Sequence, residues 1–143
     1  MSIARGAART GRDVETLGVI VSPLIATGTS TEEIAAEREV HREMLATVFS
    51  TPNYWRSLDL FGWGDLGPRL RQMTRDGRWA EMAALFTDEM MDAFVLCAPW
   101  DELAGRLRET YGGLATSIAL ALPRHDRDDA LIARTVAELQ GQS

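Results

Sequence analysis

The feature that most constrains the fold is a short, nearly continuous apolar run, Leu17 to Ala26, which is rich in β-branched residues. Such a run predicts a strand buried on both faces, because a strand with one exposed face would alternate apolar and polar residues. Thr27 to Thr29 predict a loop that closes the strand. Strands buried on both faces are typical of parallel sheets covered by helices, so the run favours an α/β fold.

Helical and strand signals alternate after this run. Ser30 and Glu33 form a capping-box pattern that predicts the start of a long helix. Two further apolar runs, Asp92 to Ala98 and Ser117 to Leu122, predict additional strands separated by helices. The expected fold is therefore α/β, mostly helical with two or three parallel strands, and residues 1–143 are expected to form a single unit.

The composition is that of a globular domain, and it disfavours several classes of partner. The 143 residues are 45% hydrophobic and 25% charged, which argues against a disordered or fibrous chain. The 21 acidic and 15 basic residues give a net charge of -6, so binding to nucleic acid is not expected. The sequence contains neither an apolar stretch long enough to cross a membrane nor a secretory signal pattern, so a cytoplasmic location without membrane contact is expected.

The titratable residues form no recognisable catalytic motif. The sequence has no lysine, which removes Schiff-base and P-loop chemistry, and it lacks paired metal-binding cysteines and a nucleophile elbow. No catalytic residue and no metal site are therefore predicted. His125 leaves two interpretations open. The neighbouring Asp126, Asp128 and Asp129 suit an acid–base or metal role, and they equally suit the start of a helix.

An aromatic group lies in the middle of the chain, between two of the predicted strands. Its members are Tyr54, Trp55, Phe61 and Trp63, and three glycines stand beside them within residues 62–67. Large rings next to turn-forming glycines can line a ligand pocket, or they can cover the sheet. The sequence alone leaves both interpretations open.

Several strings of residues, spread over most of the chain, carry a resemblance to a known family. They are Gly11-Arg12-Asp13, Thr27-Gly28 followed by Ser30-Thr31-Glu32-Glu33, Ser50-Thr51-Pro52-Asn53-Tyr54, Gly62-Trp63-Gly64-Asp65-Leu66-Gly67 and Asp92-Ala93-Phe94. Together they resemble the luciferase-like oxidoreductases, and more narrowly the actinobacterial branch that uses the deazaflavin coenzyme F420. The similarity covers nearly the whole chain but only the C-terminal part of that family.

The resemblance implies the C-terminal part of a (β/α)8 TIM barrel. Such barrels need about 250 residues, so the 143 residues of this sequence hold little more than half of one. By resemblance, Leu17 to Ala26 would be the seventh strand and Ser117 to Leu122 the eighth, with a helical insertion between them. The first six strands would be absent.

The resemblance also implies positions for the site residues. Active sites of these barrels lie at the C-terminal ends of the strands, which places Thr27, Gly28 and His125 at the coenzyme. The residues of the helical insertion that would border the substrate cleft are Thr51, Tyr54 and Trp63.

The expected function is that of a truncated luciferase-like monooxygenase or oxidoreductase that depends on F420 or FMN. In the complete enzyme the coenzyme would carry a hydride to or from a small organic substrate, and this chain alone would be inactive. The alternative is a non-enzymatic interaction module. Such a module would form a homo-oligomer, or it would complete a barrel with a separate N-terminal half, through its open strand edges.

Overall fold

The apolar run that begins the sheet is divided into two strands. In the computed structural model, which describes residues 3–141, β1 is Ile20–Val21 and β2 is Leu24–Gly28. The break falls at Pro23, which has no backbone N–H to give to a strand ladder. The prediction of one strand from Leu17 to Ala26 is therefore wrong, and β2 continues for two residues where the sequence predicts a loop.

The remaining α-helices and strands include five consecutive α-helices between β2 and the next strand. In chain order, these remaining elements are α1 Ile3–Thr10, α2 Thr31–Phe49, α3 Trp55–Asp59, α4 Leu66–Arg75, α5 Trp79–Met82, α6 Asp88–Phe94, β3 Val95–Pro99, α7 Leu103–Tyr111, β4 Ser117–Ile118 and α8 Asp129–Leu139. The predicted fold class, α/β and mostly helical with a few parallel strands, is confirmed. Within residues 3–141, no helix is both long and apolar enough to cross a lipid bilayer.

The described residues group into two compact units. The first is Leu24–Leu103, and the second combines residues 3–23 with residues 104–141. The first unit contains β2 and β3, and the second contains β1 and β4. The organisation of the whole chain as one domain stays a prediction.

In the first unit, β2 and β3 form a parallel two-stranded sheet. The register runs from Leu24 opposite Val95 to Gly28 opposite Pro99. The resemblance implies that Ser117 to Leu122 forms the strand beside the first apolar run. This prediction is wrong for β2, because the neighbour of β2 is β3. The run that forms β3 supplies five consecutive strand residues in register with β2, whereas only two residues of the later run adopt strand geometry.

Helix α2 covers one face of this sheet and runs antiparallel to its strands. The helix begins three residues after the end of β2. Near its middle, His41 Nε2 donates a hydrogen bond of 2.8 Å to the carbonyl oxygen of Ile25. At its end, the Phe49 ring centroid lies 5.1 Å from that of Phe94, the residue just before β3. The helix therefore returns the chain from the C-terminal ends of the strands to their N-terminal ends.

The core of the first unit lies on the α2 side of the sheet. Its buried residues are Ala26, Leu45, Ala46, Phe49, Leu58, Leu66, Leu70, Met82, Phe86, Met91 and Val95. Both strands and five helices contribute to this cluster. Burial of this apolar surface is the main source of the stability of the unit.

The string of glycines around Trp63 is a packing element. Gly62 has a φ angle of 79°, which L side chains rarely adopt. A Cβ atom on Gly64 would lie 2.5 Å from a carboxylate oxygen of α3, and one on Gly67 would lie 2.4 Å from the Trp55 indole. The Trp55 Nε1–H in turn donates a hydrogen bond of 2.9 Å to the last carbonyl of α2. Gly67 therefore allows the Trp55 indole to pack between α2 and α4.

The second unit contains the parallel pair of β1 and β4. Residues Ile20–Val21 lie beside Ser117–Ile118. The Thr116 hydroxyl lengthens the pair, because it accepts a hydrogen bond of 2.9 Å from the Val19 amide and donates one of 3.0 Å to the Val19 carbonyl. Helix α8 contributes the buried Thr135, whose hydroxyl bonds to a carbonyl of the same helix.

Two arginines of α2 hold α6 through ion pairs. Arg42 donates to Asp88 Oδ1 at 2.6 Å and to the Phe86 carbonyl, and Arg38 donates to Asp92 Oδ1 at 2.7 Å. The two arginine side chains are only 12% and 17% exposed. Burial is the largest single influence and lowers the pKa of each guanidinium, but hydrogen bonds and charge attraction from the partner side chains together raise it above its ordinary value. The hydrogen bond from Arg42 is the main cause that lowers the pKa of the Asp88 carboxyl.

We predict that the contact of Asp88 with α2 stabilises the fold at neutral pH and not in acid. The pKa of Asp88 is depressed in the folded state, so its stabilising effect is present above its unfolded pKa and is lost as pH falls through the folded value. Asp88→Asn should lower the melting temperature by a few degrees at neutral pH, and the difference from wild type should shrink in acid, as the pH falls below the ordinary pKa of an aspartate carboxyl. Glu89→Gln, in the same helix turn but outside the arginine network, is the control. An equal difference at both pH values would contradict the prediction.

We also predict opposite effects of the same substitution at two helical glycines. Gly67→Ala should destabilise by about 1–3 kcal/mol, because the new methyl group would overlap the Trp55 indole. Gly105→Ala in α7 should stabilise by about 0.5–1 kcal/mol, because no atom lies within 4 Å of its added Cβ and alanine favours the helix. Urea denaturation of both variants measures the two free energies of unfolding. Equal effects would mean that the indole does not require the glycine.

Candidate functional site

The C-terminal ends of β2 and β3 form what we call the carboxyl edge, made of residues 27–33 and 98–103. Ligands of α/β proteins commonly bind just outside this end of parallel strands. The two loops of the edge are joined at Trp100, whose amide donates a hydrogen bond of 3.3 Å to the Gly28 carbonyl. Two of the predicted site residues, Thr27 and Gly28, lie on this edge.

Thr27 presents its side chain on the face of β2 that is opposite to α2. Side chains alternate along a strand, and the Cα of Gly28 faces the start of α2, so the Thr27 side chain points the other way. Among residues 3–141, Thr27 Oγ1 is one of two buried side-chain polar atoms without a hydrogen-bond partner, the other being His41 Nδ1. An unpaired buried hydroxyl costs about 1–3 kcal/mol, so this atom is a candidate contact for a ligand or water.

Gly28 allows α2 to start directly against the end of β2. A Cβ atom at this position would lie 2.6 Å from the Cβ of Glu33 and 3.2 Å from the amide nitrogen of Ile34. A side chain there would therefore push the first turn of the helix away from the strand. Gly28 therefore serves the carboxyl edge by letting the start of α2 approach the end of β2 closely.

Glu33 closes the start of α2 with its own carboxylate. Its Oε2 accepts hydrogen bonds from both the amide and the hydroxyl of Thr29, each 2.7 Å long. The hydroxyl of Ser30 accepts a hydrogen bond of 3.2 Å from the Glu33 amide, which confirms the predicted cap. In the usual capping box the acidic side chain returns to the amide of the cap residue itself, so the bond to Thr29 differs from what the pattern predicts.

The carboxyl edge carries only negative formal charge. Its two segments contain Glu32, Glu33, Asp101 and Glu102 and no arginine, lysine or histidine. Hydrogen bonds, first from its own amide and then from the Ser30 hydroxyl, lower the pKa of the Glu32 carboxyl. The edge is therefore suited to an uncharged or cationic group rather than to an anion.

Residues predicted to border the substrate lie at the other end of the sheet, which we call the amino edge. Thr51 and Tyr54 are exposed and follow directly on the end of α2, and Trp63 packs near Phe94, which precedes β3. Helix α2 has 19 residues, so its two ends are about 28 Å apart. The structure brings these three residues near one another but does not bring them to Thr27 and Gly28.

The aromatic group at the amino edge is partly buried and partly open. The Trp63 and Phe61 rings stack with centroids 4.9 Å apart, and Phe61 remains 49% exposed. The Tyr54 ring meets Phe49 edge to face at 6.5 Å and is 50% exposed. Covering the core is therefore one role of these rings, and their exposed surfaces remain available to a ligand.

His125 lies in the second unit, before α8, and is exposed. It lines an open surface depression of about 580 Å³ together with Arg124, Asp126 and Arg127. Its carbonyl accepts a hydrogen bond of 2.9 Å from the Asp128 amide, which starts the helical turn. Within the part of the chain that the structure describes, no group of three histidine, cysteine or acidic side chains is arranged to hold a metal ion. A coenzyme role for His125 stays a prediction.

Sequence reasoning missed two features of the carboxyl edge. The unpaired state of Thr27 Oγ1 has no sequence signature, because it depends on which atoms surround the hydroxyl. The bonds from Glu33 to Thr29 were detectable only as a capping pattern, which predicts the residue but not its partner. Both features become visible only in the folded arrangement of atoms around the start of α2.

Comparison with known proteins identifies the family. A family profile described as luciferase-like monooxygenase matches residues 1–117. An uncharacterized protein of Mycobacterium bovis and two of Mycobacterium tuberculosis are each 38% identical to this chain over 117 residues. These residues make up 82% of this chain and 34% of each relative, so the chain spans about a third of the length of the curated relatives it matches.

The matched residues contain the whole of the first unit and end before His125. No solved structure gives a significant match to the chain. The profile covers β2, α2, the helical insertion and β3, which are the elements that build the carboxyl edge. The chain belongs to the luciferase-like monooxygenase family.

Proposed function

We propose that this chain is the C-terminal portion of a luciferase-like oxidoreductase that uses F420 or FMN, and that its carboxyl edge faces the coenzyme. Family membership supports the reaction class, because these coenzymes carry hydride between themselves and a small organic substrate. The observation that carries the placement is the buried, unpaired hydroxyl of Thr27 at the C-terminal end of β2. The substrate is proposed only as a small organic molecule.

The strand order supports a place in a (β/α)8 barrel. β2, α2, β3 and α7 follow one another as strand, helix, strand and helix, and the two strands are parallel neighbours. Along each strand of such a barrel, successive side chains point alternately into the barrel interior and toward the surrounding helices. Since α2 covers the face of Ala26, the Thr27 side chain would face the interior near the mouth, where active sites lie.

The residues of the carboxyl edge fit an uncharged part of such a coenzyme. The Thr27 hydroxyl is able to donate or accept one hydrogen bond with a ring carbonyl, a ring nitrogen or a sugar hydroxyl. The Glu33 carboxylate already occupies the Thr29 amide, so the start of α2 does not fit a phosphate group. This chain would therefore orient the uncharged part of the ligand, and the hydride chemistry would belong to the coenzyme.

We further propose that the isolated chain has no turnover. The region of similarity is 34% of each relative, and the resemblance to the family implies that the first six barrel strands, whose loops hold most of the coenzyme ring, lie outside this segment. Turnover of reduced F420 or reduced FMN by the purified chain alone would contradict this part of the proposal.

A second candidate function, an interaction module, is favoured by the outer edge of β2. The Gly28 carbonyl faces β3, where it accepts from Trp100, so by alternation the peptide groups of Ile25 and Thr27 face the other way. Among the described residues, β2 pairs only with β3, and His41 covers the Ile25 carbonyl. The open edge would receive a strand from a second copy or from an N-terminal barrel half. A strictly monomeric chain in sedimentation equilibrium at high concentration would contradict self-association.

The first test of the proposal compares two threonine-to-valine variants for stability. Thr27→Val should leave the free energy of unfolding unchanged or raise it, because no protein partner of the hydroxyl is lost. Thr87→Val should lower it by about 1 kcal/mol, because the Thr87 hydroxyl accepts the Met90 amide at the start of α6. A large loss at Thr27 would show that its hydroxyl serves the fold and would remove the argument for a ligand.

The second test is a fluorescence titration of the purified chain with F420 and, in parallel, with FMN. We expect saturable binding of one coenzyme, weakened about tenfold in Thr27→Val because one buried hydrogen bond to the ligand is lost. Thr47→Val, on the exposed face of α2, is the matched control and should bind as wild type does. Absence of binding would contradict a coenzyme contact within this chain and would leave the family membership untouched.

A further inference from the structure

We infer that Glu33 is a specificity-determining residue that closes the start of α2 to phosphate. The inference rests on the proposed function, since it says which part of a phosphate-bearing coenzyme the carboxyl edge rejects. It means that the phosphate of a ligand bound at this edge must be held by residues outside the loop between β2 and α2. The test described below needs no coenzyme, so it can fail independently of the proposed function.

The start of a long helix is ordinarily a good place for a phosphate. The first amides of a helix have no partner within it, and the helix dipole favours negative charge there. Helix α2 has 19 residues and begins directly after a strand, which is the arrangement that many phosphate loops use. By position alone, the segment from Thr27 to Ser30 would therefore be the expected phosphate site.

In this chain the Glu33 carboxylate already occupies the position that a phosphate would take. Glu33 Oε2 accepts the Thr29 amide and the Thr29 hydroxyl at 2.7 Å each, which are two donors that a phosphate oxygen would need. Close approach at Gly28 holds the Glu33 backbone against the strand, which places its carboxylate within reach of the Thr29 donors. The Ser30 hydroxyl is engaged by the Glu33 amide.

The negative charge of the carboxyl edge also disfavours a phosphate. A phosphate at this loop would lie beside the Glu33 and Glu32 carboxylates, and the two segments of the carboxyl edge supply no cation to offset the repulsion. Occupied donors and like charge together exclude an anion, whereas an uncharged hydrogen-bonding group meets only the free hydroxyl of Thr27. Glu33 therefore selects which end of a ligand this edge accepts.

The experiment is a titration of the isotope-labelled full chain with inorganic phosphate at constant ionic strength, followed by NMR at the Thr29 and Ser30 amides. In the wild type we expect no saturable shift. In Glu33→Ala the Thr29 donors are released, and apparent phosphate affinity at these amides should rise at least about tenfold. Glu32→Ala removes a carboxylate from the same turn but leaves Thr29 occupied, so it should behave as wild type does.

Each outcome decides the inference. Saturable phosphate binding by the wild type at Thr29 would overturn it, as would an equal gain in Glu32→Ala, which would assign the effect to net charge alone. If Glu33→Ala disrupts the first turn of α2, Glu33→Met keeps the side-chain length and the helix preference without an oxygen acceptor, so it also releases the Thr29 donors and should shift in the same direction. No gain in either Glu33 variant would also overturn the inference.

Discussion

The parallel pairing of β2 and β3 is the constraint on which the rest of the first unit depends. Parallel neighbours cannot be joined by a tight turn, so the chain must travel back along the sheet between them. Helix α2 makes that return, and it buries one face of both strands as it does so. The insertion consequently begins at the amino edge and ends where β3 starts, while the loop before α2 and the loop after β3 meet at the carboxyl edge. Topology alone therefore separates Trp63 from Thr27.

Because Trp63 and Thr27 lie at opposite ends of the sheet, the role of the helical insertion that the structure shows is packing against α2. Its glycines are fitted to neighbouring groups, and the Trp55 indole that Gly67 admits bonds to the end of α2. Arg38 and Arg42 tie the last helix of the insertion to the same face of α2. These contacts fix the start of β3, and with it the register that aligns Gly28 with Pro99. The insertion thus acts on the carboxyl edge through the position of a strand rather than through direct contact.

The sequence predicted what depends on local pattern and missed what depends on neighbours. Hydrophobic runs and the capping pattern at Ser30 predicted the fold class and the start of α2, because both are set within a few residues. The division of the first run at Pro23 was also local, yet a proline inside an apolar run does not reveal that the two halves pair with different strands. Of the candidate site, position was predictable for Thr27, whereas its unpaired hydroxyl was not.

The residues of the distinctive packing strings and the residues proposed to contact a ligand are therefore different sets. A string such as the one ending at Gly67 is distinctive because Gly64 and Gly67 each meet a specific neighbouring group and Gly62 has a positive φ angle, and packing of that kind tolerates few substitutions. Thr27 and Glu33 belong to no distinctive string, since threonine ends many strands and glutamate begins many helices. Their importance arises from one atom left without a partner and another that fills the place of an anion. Under the proposed function, ligand preference depends on single exposed or half-buried positions, and these can change while the packing motif stays the same.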